Sequence, residues 1–157
     1  MNWDAIGAIG DIIGAIAVVV SLVYLAIQIR GQNRESRLAA MHEIAVACRE
    51  SNIPFADANL ADILTRAHND TNQLTEAEIL QLIVAVQGVF RVWEEAYFQH
   101  AAGRLDEHLW AAILREYSSY LSAGGFDFVW QLRKNGYNDA FRLFVDSLPK
   151  PEYRTRL

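Results

Sequence analysis

AIGAIGDIIGAIAVVVSLVYLAIQI, residues 5–29, contains no Lys or Arg, and Asp11 is its only charged residue. Arg30 follows at once, and all fourteen basic residues of the chain lie at Arg30 or beyond. The nineteen-residue step from Asp11 to Arg30 spans about 28 Å at a rise of about 1.5 Å per residue. A hydrocarbon core of about 30 Å is nearly matched, so the two charges can sit at its opposite edges. A helix satisfies every backbone polar group internally, as lipid requires. Trp3, further out, suits the headgroup level. A cleaved signal peptide would need basic residues before the apolar run, and none precedes Arg30. The remaining alternative is a helix buried in a soluble core.

Charge sets the expected orientation. Arg30, Arg34 and Arg37 crowd one end, while Asn2, Asp4 and Asp11 mark the other. Basic residues favour the cytoplasmic side, so the N-terminus is expected outside and the body in the cytoplasm. The three arginines are placed to meet anionic headgroups of the lipid bilayer.

One face of this helix differs from the rest. Steps of three and four collect Asp4, Gly7, Asp11, Gly14, Val18, Ser21, Leu25, Gln28 and Gln32. Gly10 and Gly14 add a GxxxG spacing beside that face. Small residues let helices approach closely in lipid, and polar side chains bond across the contact. An association seam of Gly7, Asp11, Gly14, Val18, Ser21 and Gln28 is therefore expected, within a homo-oligomer or a larger membrane complex. A sharper alternative turns the seam inward as a cation pore. Asp4 and Asp11 would then form acidic rings at the outer mouth, with Val18 and Leu25 as apolar constrictions.

Beyond the span the pattern is helical throughout, with no sustained alternation. The expected fold is all-α: one N-terminal transmembrane helix followed by a small cytosolic helical bundle. Residues 1–30 form the span and short external N-terminus, 31–51 a juxtamembrane helix, 52–148 the cytosolic domain and 149–157 a tail. Gly31 is a candidate weak point in the first helix. Leu38, Met41, Ile44, Ala45 and Cys48 read as its apolar face. Pro54 ends it, and a short helix follows over about 58–67. Thr75 with Glu78 is a capping box. It opens a helix with a stripe of Ile79, Leu82, Ile83, Val86, Val89, Phe90, Trp93 and Tyr97, stopping at Gly103. Gly88 is expected to permit a close helix contact. Asp106 caps the next helix, which should fold back as an antiparallel hairpin and end at Gly124 and Gly125. Two short helices remain, over about 126–134 and 138–147.

The composition narrows the chemistry. A net charge of −5 without a basic tract beyond the arginines at residues 30–37 makes nucleic acid an unlikely partner. Cys48 is the only cysteine, so no internal disulfide forms. Twelve aromatic residues from Trp93 to Phe144 fall at helical spacing, the pattern of a packed core. His42-Glu43 lacks the second histidine of a zinc helix, and no Glu-x-x-His pair of a di-iron bundle is present. His100 with Glu107 and His108 falls short of the three or four ligands a metal needs. No phosphate-binding glycine loop or nucleophile elbow appears. Ser118, Ser119 and Ser122 lack a catalytic setting, and Cys48 reads as a small core residue. No catalytic residue, metal or cofactor is therefore assigned.

Three stretches carry a resemblance: WDAIGAIGDIIGAIAVVVSLVYLAIQIR, the F-x-x-W-E-x-x-Y-x-Q-x-x-x-G-x-L-D run from Phe90 to Asp106 with Trp110, and F-x-x-F-V-D from Phe141 to Asp146. They resemble a group of uncharacterised bacterial single-pass membrane proteins. That likeness implies the inner membrane and the architecture above, and it carries over no catalytic residue. The functional expectation is a self-associating membrane scaffold or accessory subunit. The alternatives are a cation channel and a membrane-tethered ligand sensor or enzyme.

Overall fold

The computed structural model describes residues 3–151, with side chains for residue 14 and for residues 16–151. Among these residues the chain is all-helical and contains no strand. It divides into two units, Met1–Ala39 and Ala40–Leu157.

In the first unit, helix α1 (Trp3–Asn52) runs unbroken through Gly31, so the candidate weak point does not interrupt it. One such glycine costs only about 1 kcal/mol against alanine. Residues 16–39 are exposed without exception. Ten large apolar side chains between Ile16 and Ile29 each remain 48–64% exposed. This stretch is long and apolar enough to cross a membrane, and none of it is buried.

The second unit is a bundle built on the last turns of α1. Ala40 and Ile44 are buried there, with Met41 and Cys48 packed at the edge of the core. Leu38 and Ala45 are exposed, which narrows the expected apolar face to Ala40, Met41, Ile44 and Cys48. Pro54 lacks an N–H to continue the ladder, and α1 passes into a 3₁₀ turn over Ile53–Ala56. Asp57 then caps α2 (Ala58–Asn69), its Oδ1 accepting from the N–H of Asn59 and Leu60 at 3.0 and 3.1 Å.

Helix α3 (Glu76–Ala101) opens with the expected capping box. The Glu78 N–H donates to Thr75 Oγ1, and the Thr75 N–H donates to Glu78 Oε2 at 2.8 Å. Gly103, at φ +68°, releases the chain at the other end. Asp106 caps α4 (Glu107–Tyr120) through the N–H of His108 and Leu109. The hairpin is antiparallel: Trp93 meets Tyr117, and Tyr97 meets Trp110.

Gly124 and Gly125 open α5 (Gly124–Arg133) rather than closing α4, a correction to the sequence reading. A Cβ on Gly124 would lie 2.8 Å from the His68 carbonyl oxygen, and one on Gly125 would lie 3.1 Å from Ala67 Cβ. The pair is therefore a packing device, letting α5 press against the end of α2. Asn138 caps α6 (Asp139–Ser147). At the centre Trp93, Phe90, Trp130 and Phe141 are buried against one another, with ring separations of 4.9–6.1 Å.

Candidate functional site

The residues of the expected seam fall into two groups. Asp4, Gly7 and Asp11 lie on α1, but their side chains are outside the described residues. Gly14, Val18, Ser21, Leu25 and Gln28 are all exposed. An added Cβ on Gly14 meets nothing within 4 Å. Ser21 Oγ donates to the Ala17 carbonyl at 2.8 Å, and Gln28 Nε2 donates to Tyr24 Oη at 2.9 Å. These bonds within the helix satisfy part of the polar demand without covering the face. Arg30, Arg34 and Arg37 are exposed as well.

In the bundle the polar residues singled out from the sequence hold the fold together. Arg91 reaches Glu94 Oε2 at 2.7 Å and the Gly136 carbonyl at 3.0 Å, with its guanidinium 4.2 Å from the centre of the Tyr137 ring. Glu94 Oε1 accepts from the Asn138 N–H at 2.7 Å. The network ties α3 to the turn before α6. Burial raises the Tyr137 hydroxyl to about 12, with the Arg91 charge opposing it. Arg91 thus pairs with Glu94, three residues on in the same helix.

His100 stacks on Trp110 at 4.7 Å, and its Nε2 lies 2.9 Å from Glu107 Oε2. The hairpin thus joins two of the candidate metal ligands. Among the described residues, no group of three His, Cys, Asp or Glu converges. Cys48 Sγ sits 3.5 Å from Tyr117 Oη. Burial pushes the thiol upward, outweighing the Tyr117 bond that lowers it. A thiol held protonated is a poor nucleophile. Ser118 and Ser119 donate to the carbonyls of Arg115 and Glu116.

Most residues that carry the late sequence pattern have a packing or capping task. Phe90, Trp93 and Phe141 fill the core, and Glu94 and Asp106 cap or bridge. Asp146 accepts from Trp130 Nε1 at 2.8 Å and pairs with Lys134 at 3.2 Å. Those two bonds hold its carboxyl below the ordinary range although partial burial, the largest single influence, works upward.

Arg66 of α2 and Glu78 of α3 form an ion pair between helices, at 2.5 Å. The Arg66 bond comes first, then those from Thr75, in holding the Glu78 carboxyl down at about 2. Its ordinary value is 4.5, so the stability it contributes is present above that value and is lost as pH falls from about 4.5 towards 2. Both side chains stay partly exposed, at 30% and 25%, so solvent screens the gain. The urea midpoint is expected to fall through that window. Glu78→Gln should flatten this part of the profile, and a wild-type slope unchanged by the substitution would contradict the assignment.

A surface the sequence did not single out lies on the other side of α3. A groove of about 550 Å³ is lined by Ser51, Pro54, Asp57, Leu60, Ala77, Leu80, Gln81, Val84, Ala85 and Gly88. Its signal in the sequence was a second apolar stripe on α3, hidden beside the stronger buried one. Comparison with known proteins adds no name: no family model matches the chain, nor does any curated protein or solved structure.

Proposed function

We propose that this chain is a bitopic inner-membrane protein, N-terminus outside, which self-associates through α1 and carries its helical body as a cytoplasmic scaffold or accessory subunit. The observation that carries the reading is the uncovered apolar cylinder from Ile16 to Ile29. Its ten large side chains would each gain about 1.5–3 kcal/mol on leaving water completely. Even at half that gain the total is on the order of 10 kcal/mol, comparable with the whole stability of a domain. A helix apolar all round belongs in a core or a membrane, and the large side chains of this stretch are exposed.

Association follows from what the cylinder presents. Gly14, Val18 and Ser21 give one low flank among Ile, Val and Leu, and the space over Gly14 is open. Gly14→Leu is therefore tolerated by the single chain and obstructs a close neighbour. In mild detergent this variant is expected to weaken association at least tenfold, seen by light scattering as a fall towards the mass of one chain. An unchanged mass would sink the seam. The bundle's polar groups are engaged in caps and bridges, which favours a supporting role over a catalytic one.

A further inference from the structure

We infer that the groove on α3 is a homotypic contact, in which α3 packs antiparallel against α3 of a second copy. The exposed face of α3 runs Ala77, Gln81, Val84, Gly88, Arg91, Glu95 and Phe98. Those steps alternate four and three, the spacing by which one helix faces another. Leu80 and Val84 stand 60% and 65% exposed on it.

Gly88 points to the occupant. It lies in the middle of a 26-residue helix, has no positive φ, and an added Cβ meets nothing within 4 Å. Glycine weakens a helix interior relative to alanine, and no contact among the described residues accounts for this one. The close helix approach expected at Gly88 from the sequence is thus not made within the body. A second backbone approaching from outside supplies it.

The face is complementary to itself. With a two-fold axis at Val84, each Leu80 shares a layer with Gly88 of the other copy, so a large side chain meets a gap. Val84 meets its own equivalent. Glu76 and Arg91 of opposite copies fall within one residue of the same level, on the same flank. The Arg91 side chain remains 53% exposed after its bonds to Glu94 and Gly136, leaving it able to meet an acidic neighbour. A parallel arrangement would instead stack Leu80 on Leu80, Gly88 on Gly88 and Arg91 on Arg91, repeating like charges. This contact shares with the membrane seam the premise that copies of the chain gather, and it uses different residues.

The test uses the full chain, first in native membranes and then in mild detergent, with Cys48→Ala as background. Val84→Cys is expected to cross-link rapidly to a second copy with a short bifunctional maleimide. Leu143→Cys, equally exposed at 65% on α6, serves as the control and should react at least tenfold more slowly. Adding Gly88→Leu to Val84→Cys should abolish the cross-link while leaving the fold intact, since the space over Gly88 is open. Glu76→Arg should slow it several-fold. A Val84→Cys rate no greater than the control, or a cross-link to a different protein in membranes, overturns the inference. The two contacts fail separately. If Val84→Cys does not cross-link but Gly14→Leu still lowers the mass, the α3 contact falls and the seam stands. If Gly14→Leu leaves the mass unchanged while Gly88→Leu abolishes the cross-link, the seam falls and the α3 contact stands.

Discussion

Trp93→Ala is expected to unfold the body while leaving the exposed part of α1 helical. Trp93 has no exposed surface and contacts Phe90, Tyr117, Phe141 and Phe144, so three helices lose their common neighbour. Such truncations cost about 3–5 kcal/mol, a large part of the roughly 5–15 kcal/mol that holds a domain together. The indole contributes bulk rather than a bond, because its Nε1 is buried without a partner. Trp93→Phe should therefore be much the milder change, trading lost volume against relief of an unpaired N–H. Far-UV circular dichroism should lose the contribution of α2 to α6, the larger share of the helix. Hydrogen exchange of the α3 and α6 amides is the sensitive readout. Protection in Trp93→Ala equal to wild type would mean that the centre of the core lies elsewhere.

Val20→Arg is the second change with a large expected effect. Val20 lies nine residues from Asp11 and ten from Arg30, near the middle of the apolar run, and is not part of the seam. A basic residue at the centre of a span raises the insertion free energy by about 2.5–3.5 kcal/mol. That corresponds to on the order of a hundredfold in an insertion equilibrium. The variant should shift from the alkali-resistant membrane pellet towards the extractable fraction, and Val20→Leu should not. Recovery of the wild-type chain as a soluble monomer after a salt wash, without detergent, would remove the membrane reading itself. Together with Gly14→Leu, the pair separates entering the bilayer from associating within it.

Local signals were legible wherever one residue type performs one local task. The capping box at Thr75 and Glu78, the cap at Asp106 and the release of the chain at Gly103 each follow from neighbours in sequence. The buried stripe of α3 was legible because the helical period repeats it over about four turns, from Leu82 to Ala96. Gly124 and Gly125 misled for a physical reason. Glycine after a helical run ordinarily releases the chain, whereas here the missing side chains admit the backbone of α2, a neighbour more than fifty residues away. Leu38 and Ala45 misled differently. Apolar residues at helical spacing mark a face only where another element arrives to cover it: the cover begins at Ala40, beyond Leu38, and Ala45 lies on a side of α1 that stays exposed.

The same division applies to the candidate site. The seam proposed for α1 rests on side-chain size and polarity along one helix, which near neighbours in sequence supply. The groove on α3 depends on α1, the 3₁₀ turn and α2 arriving beside one exposed stripe of a helix whose other stripe is core. No single segment contains that arrangement.

By itself, then, the order of residues determined an apolar first helix bounded by Asp11 and Arg30, an all-helical body, and the points where most helices begin, because those depend on charge, periodicity and capping between near neighbours. Only the tertiary structure decided that Arg91 and Glu94 bridge to the turn before α6, that Cys48 lies against Tyr117, and that Gly88 faces outward beside Leu80 and Val84. Those outcomes turn on which surfaces of distant segments meet and which are left over once the core is full.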